Sequence, residues 1–168
     1  IEENLSMALN KSSRLSLKWA MNKKKRNIIK EHLEEINLGL EKRLDTKVKL
    51  LSGGQRQALT LLMATIIEPE LLLLDEHTAA LDPATAIKIN DLTQKIVSNN
   101  NITTLMITHN MKDALKFGNR MLMMNHGKII IDIEGKTKNN MTINHLLEVF
   151  QKKNKQGFYN DRSLLSLA

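Results

Sequence analysis

Two adjacent glycines behind a small hydroxyl, directly ahead of a long apolar segment, constrain this chain more than any other stretch: Leu50-Leu51-Ser52-Gly53-Gly54-Gln55-Arg56-Gln57. Ser52 can cap a helix that begins behind it. Gln55, three residues on, can reach back to the amide of Ser52, which is the reciprocal arrangement of a capping box. The glycines carry no side chain to hold a foreign group away. Amide N–H groups without an intrahelical acceptor, and the positive end of the helix dipole, then face whatever sits there, and a phosphate suits both. The turn alone is equally compatible with a plain helix start, so the rest of the chain has to decide.

The 168 residues suffice for one domain with a buried core, or one domain with a small appendage. With no cysteine, a disulfide framework and a cysteine zinc site are excluded, which fits a reducing compartment. The longest apolar stretch, Ala58 to Ile67, is broken by Thr60 and Thr65 and falls short of the roughly 20 residues of a membrane helix. No signal peptide opens the chain. Ile1 stands where an initiator methionine is expected, so the start is read as missing. The net charge of +7 raises the question of nucleic acid. Its only dense run, Lys23-Lys24-Lys25-Arg26, precedes a helical stripe of Ile28, Ile29, Leu33 and Ile36 and reads as a solvated helix start. Aromatic residues make up only 3%, too few for a stacking platform, so nucleic acid is not an expected partner.

Residues 1 to 50 read as mainly helical: short amphipathic pieces at Asn4 to Asn10 and Leu15 to Met21, then a helix from Lys24 to Asn37 closed by a left-handed Gly39. The helix after Ser52 runs to about Ile67, apolar nearly all round and hence buried, and Pro69 ends it. Leu71-Leu72-Leu73-Leu74 is too short for a helix and reads as a strand buried on both faces, with Asp75 and Glu76 at its C-terminal end, where open α/β sheets gather ligands. Asp82 caps the next helix with Pro83 at its first position, and Ile89, Leu92 and Ile96 face inward. After a polar loop, Ser98 to Asn101, a second buried strand, Ile102 to Ile107, leads into Thr108 and His109. Strand, helix, strand predicts a parallel sheet. Asn110 caps a short helix through Phe117, closed by Gly118. Arg120 to Met124 and Lys128 to Ile133 form a hairpin about Asn125-His126-Gly127, Thr142 to Phe150 is a last helix, and Gln151 to Ala168 is a tail expected to be disordered.

Four features therefore stand in order: Ser52-Gly53-Gly54-Gln55, Leu71 to Leu74 with Asp75-Glu76, Leu81-Asp82, and His109 behind a strand. In this order and spacing they resemble the signature, Walker B, D-loop and H-loop motifs of ABC-type ATPases. The resemblance runs from Ile1 to about Phe150, since Ile1-Glu2-Glu3-Asn4-Leu5 also looks like the segment behind that family's Q-loop. Glu76-His77-Thr78-Ala79-Ala80-Leu81-Asp82-Pro83 looks most like ATPases of bacterial importers, amino-acid importers among them. The implied fold is α/β, a partial P-loop NTPase (RecA-like) parallel-sheet core with an inserted helical subdomain. The implied division is a helical subdomain at 1–68, the C-terminal half of the ATPase core at 69–150 and the tail at 151–168.

The resemblance also implies roles and partners. Asp75 is the expected magnesium ligand, Glu76 the general base toward the attacking water, and His109 the switch histidine on the γ-phosphate. Ser52, Gly53, Gly54 and Gln55 would touch the ATP held by the opposite subunit of a head-to-tail dimer, and Asp82 would act across the same interface. His77 departs from the proline most common behind the glutamate, and no catalytic role is assigned to it. ATP and Mg2+ are the implied cofactors. Transmembrane permease subunits are the implied partners, at the cytoplasmic face of the cell membrane. No Gly-x-x-x-x-Gly-Lys-[Ser/Thr] occurs in the chain: Gly135-Lys136-Thr137 looks like its end, but Ile130 stands where the first glycine belongs and no helix pattern follows. The Q-loop glutamine and the adenine-stacking aromatic are missing with it. The chain is thus expected to be the C-terminal portion of an ATPase subunit, inactive alone. The alternatives are a non-transport ABC ATPase and an interaction module that lends its signature face in trans.

Overall fold

Ser52 does cap the helix behind it. In a computed structural model of the chain, residues 1–10 and 23–152 are described, and they fall into two compact units, Ile1–Ile107 and the residues from Thr108 on. The expected piece at Leu15 to Met21 and nearly all of the expected tail lie outside the described residues.

The first unit holds α1 (Glu2–Leu9), α2 (Lys23–Glu35), α3 (Gly53–Thr65), β1 (Leu71–Asp75), α4 (Pro83–Asn99) and β2 (Thr103–Ile107), with short 3-10 turns at Leu40–Lys42 and Val48–Leu50. Helix α2 stops earlier than its apolar pattern suggested. Asn37 already takes a left-handed φ of 51°, so Gly39, also left-handed, opens the following 3-10 turn instead of closing the helix. The first core joins Leu5, Ile29, Leu33, Leu40, Leu59 and Leu62 to Ile89 of α4. A second gathers Leu61, Leu72, Leu74 and Ile102. Leu92 and Ile96 of α4 pack against both, which makes α4 the element shared by the helical layer and the sheet.

Strands β1 and β2 pair in parallel, Leu71 opposite Thr103 through Asp75 opposite Ile107, as strand-helix-strand order predicts. Burial on both faces is not observed. Leu72 and Leu74 are buried, whereas Leu71, Leu73, Leu105 and Ile107 are each more than half exposed. The described residues supply a helical layer to one face of this pair, and a period of two puts alternate residues on the other. Ile67 is likewise exposed, past the end of α3.

The basic run divides. Lys23 and Lys24 are exposed, as a solvated start requires. Lys25 donates to Asn10 Oδ1 at 2.9 Å, and Arg26 reaches Glu2 at 3.5 Å and Asp45 at 3.3 Å, tying α1 to α2 and to the turn behind it.

The second unit contains α5 (Met111–Lys116), β3 (Arg120–Asn125), β4 (Lys128–Glu134), α6 (Gly135–Asn139) and α7 (143–152) around Met121, Ile131 and Leu146. The hairpin forms as expected, antiparallel, with His126 (φ 47°) and Gly127 (φ 73°) as the two left-handed centre residues of a tight turn. The expectation that no helix follows Gly135 is corrected. Gly135–Asn139 is a short helix, held by the burial of Lys138, whose ammonium donates to the Leu115 carbonyl, and not by an apolar stripe that a pattern search would register. Burial holds the Lys138 amine below its usual range. No helix among the described residues is long and apolar enough to cross a membrane.

Candidate functional site

The glycine turn has the geometry its sequence implied. Gln55 N donates to Ser52 Oγ at 3.2 Å and Ser52 N donates to Gln55 Oε1 at 3.2 Å, so both arms of the capping box are closed. The amides of Gly53 and Gly54 lie in the first turn, beyond the reach of any carbonyl of their own helix. Ser52 and Gly53 are exposed at this end. An anion can therefore approach backbone donors at the positive pole of a 13-residue helix. Replacing Ser52 by Ala removes the hydroxyl arm, leaving the amide of residue 52 to donate to Gln55, and is expected to lower the stability of the chain by about 1 kcal/mol, measured by urea unfolding.

The turn does not stand alone. A Cβ on Gly53 would lie 3.3 Å from Leu81 Cδ2, and one on Gly54 only 2.4 Å from Thr85 Cγ2. The absence of a side chain thus serves the packing of α3 on the start of α4 as well as access from outside. Asp82 caps α4: its carboxylate accepts from Thr85 N at 3.0 Å, and Pro83 occupies the first turn. The Thr85 hydroxyl, first, and the Thr85 amide, second, hold the Asp82 carboxyl below its usual range. A depressed folded-state pKa contributes stability that is complete above the unfolded-state value and lost as pH falls through the folded one. Unfolding followed from pH 7 down to pH 2 is expected to show that loss in the native chain, and a smaller one in Asp82→Asn.

Asp75 and Glu76 end β1 on the C-terminal edge, both exposed. Asp75 lies opposite Ile107 in the register, and Glu76 N donates to the Ile107 carbonyl at 3.0 Å. Glu76 has a left-handed backbone, φ 45°, which costs a non-glycine residue about 1–2 kcal/mol. The chain then turns twice, Ala79 N to Glu76 O at 2.9 Å and Leu81 N to Thr78 O at 3.1 Å, to reach Asp82. His109 is exposed in the second unit, just ahead of Asn110, which caps α5 through Lys112 N at 2.9 Å.

Within the first unit the structure therefore joins the glycine turn to the start of α4, and the carboxylate turn to the end of β2. Sequence reasoning passed over Thr85 and Thr93. A threonine three residues behind a capping aspartate was a visible signal for the first. Thr93 is buried at a polar position of an amphipathic stripe, and no pattern marks it.

No group of three or more acidic or histidine side chains among the described residues could hold a metal unaided. Magnesium does not require one. It keeps several waters and takes one or two carboxylates beside substrate phosphates, and the exposed carboxylate of Asp75 at a strand end fits that habit.

Residues 1–79 match the ABC transporter family profile. The tyrosine transport ATP-binding protein of Clostridioides difficile is 51% identical over 152 residues, which cover 90% of this chain and 60% of that protein. The aliphatic sulfonates import ATP-binding protein SsuB 2 of Agrobacterium fabrum is 38% identical over 97 residues, 58% of this chain and 38% of that protein. The chain thus spans less than two thirds of the length of these relatives, 60% of the first and 38% of the second. Among solved structures, an inward-facing metal-chelate type ABC transporter matches with TM-score 0.68 and 25% identity, covering 90% of this chain and 58% of the other. A nucleotide-free ATP-binding cassette from an ABC transporter matches with TM-score 0.64 and 24% identity, covering 81% of this chain and 55% of the other, a likeness of fold alone. The fold is mixed α/β and resembles a P-loop NTPase core with helical insertions.

Proposed function

We infer that this chain, which is similar to the ABC transporter family over residues 1–79 and to a transport ATP-binding protein over 90% of its length, is the C-terminal portion of the ATP-hydrolysing subunit of a bacterial importer. The observation that carries the reading is the setting of Asp75 and Glu76. Two exposed carboxylates close a parallel strand, and the second is held in a left-handed backbone by a bond to the neighbouring strand.

Phosphoryl transfer to water needs an oriented water and donors for the charge that develops on the transferred group. Glu76 orients the water and accepts its proton, and His109 contacts the γ-phosphate. Asp75 is the residue that would hold magnesium, whose charge neutralises the phosphate oxygens. Ser52, Gly53, Gly54 and Gln55 present the helix terminus to a nucleotide bound by a second ATPase subunit, with Asp82 beside them across a head-to-tail interface. Permease subunits at the cytoplasmic face of the membrane complete the assembly. The likeness to a tyrosine transport protein favours an amino acid as the solute.

The 168 residues contain no Gly-x-x-x-x-Gly-Lys-[Ser/Thr], so the nest of amides and the phosphate lysine that hold ATP in cis are not supplied by this chain. Calorimetric titration with Mg-ATP is expected to show no saturable binding to the chain and saturable binding to the full-length protein that carries it. Saturable binding by the chain itself would require a different assignment of the signature face.

A further inference from the structure

His77 follows the general base proposed above, and its ring is half-buried against α4. Its Nε2 lies 3.2 Å from Thr93 Oγ1, and Thr93 Oγ1 lies 2.8 Å from the Ile89 carbonyl. A hydroxyl has one proton. The carbonyl can only accept, so that proton goes to Ile89 O and the imidazole must donate from Nε2–H to the Thr93 oxygen. The contact thereby selects a tautomer and fixes the plane of the ring. Thr93 is itself buried, 5% exposed, so its oxygen is a fixed acceptor and not a mobile surface group.

Thr85, Ile89 and Thr93 recur every four residues and share one face of α4. One end of this face meets Gly54 and the other receives His77, about 12 Å apart along the axis, with buried Ile89 between them. Glu76 sits between two anchors: its own amide on Ile107 O and the next residue's ring on Thr93. Its left-handed backbone persists only while its surroundings over-determine it.

We propose that His77 is a positioning residue for Glu76, pinning the left-handed carboxylate turn to Thr93 so that the carboxylate is held where the attacking water must be. The proposal rests on the assignment of Glu76 as general base. Release of the pin lets the turn relax toward right-handed backbone and swings the carboxylate. A misplacement of about 1 Å at a reacting centre can lower a rate by about a hundredfold.

The test uses steady-state hydrolysis by the full-length protein. Thr93→Val keeps the branched shape and removes the acceptor, and is expected to lower kcat about tenfold with KM for Mg-ATP unchanged, a partial form of that loss. Thr93→Ser, which keeps the hydroxyl, is expected to restore kcat. His77→Ala should match Thr93→Val, and the double variant should be no slower than the slower single one, because both remove the same contact. A merely structural role would instead lower the fraction of active protein, which circular dichroism and active-site counting would report, and Thr93→Val can be read even where His77→Ala fails to fold. Wild-type kcat in Thr93→Val, or losses that multiply in the double variant, would overturn the positioning role while Glu76→Gln remained inactive. Full turnover in Glu76→Gln would overturn the assignment beneath it.

Discussion

Replacing Glu76 by Gln is expected to leave Mg-ATP binding by the full-length protein intact and to lower its hydrolysis rate by about 10²–10⁴-fold, the usual contribution of a positioned general base. Glutamine preserves the volume of the side chain and its capacity to accept a hydrogen bond, but it cannot take a proton from water. The backbone should not respond to the change. The left-handed φ of 45° and the bond from Glu76 N to Ile107 O do not involve the carboxylate, so the turn through Ala79 to Leu81 should form as before. Binding is read by calorimetry and turnover by phosphate release. A variant that binds and turns over at the wild-type rate would remove Glu76 from the role, and with it the reason for attaching importance to the strained backbone at this position.

Replacing Gly54 by Ala is expected to destabilise the chain by about 1–3 kcal/mol, the range of an overpacked contact. Helix propensity alone predicts the opposite sign, since alanine is favoured over glycine in a helix by about 0.8–1 kcal/mol. The contact decides. The added Cβ would lie 2.4 Å from Thr85 Cγ2, and Thr85 is not a flexible chain end. It is branched at Cβ, and its hydroxyl and amide both serve the Asp82 carboxylate, so rotating the methyl away would carry the hydroxyl off that carboxylate and leave only the amide on it. The starts of α3 and α4 must separate instead. Thr85→Ser removes the methyl and keeps the hydroxyl, so Gly54→Ala in that background is expected to be neutral or stabilising. Urea unfolding of the four proteins gives the coupling directly. Equal destabilisation in both backgrounds would mean that Gly54 is needed for its backbone alone.

The local features of the site were legible in the sequence because each is set by residues within a few positions of one another. The capping box at Ser52 and Gln55, the Asp82-Pro83 start of α4, the Asn110 cap and the His126-Gly127 turn all formed where the residue types require them. Element boundaries were less secure where two signals competed. Asn37 took the left-handed position that Gly39 was expected to fill, and Lys138 stabilised a helix at Gly135–Asn139 through a buried hydrogen bond that has no periodic signature.

The order of Ser52-Gly53-Gly54-Gln55, Asp75-Glu76, Asp82 and His109, and the parallel pairing of the two strands, were determined by the sequence, because short-range caps and strand-helix-strand handedness leave few alternatives. Tertiary structure decided three things that spacing could not. It left Leu71, Leu73, Leu105 and Ile107 exposed, since whether an apolar strand face is covered depends on which layers pack on it and not on its own residues. It set Gly54 against Thr85, residues 31 positions apart in the numbering, where close approach of two helix starts makes a glycine necessary for space as well as for access. It brought His77 to Thr93 on the buried face of α4 and held Glu76 in a left-handed conformation. A backbone angle that is unfavourable locally can be fixed only by contacts made elsewhere.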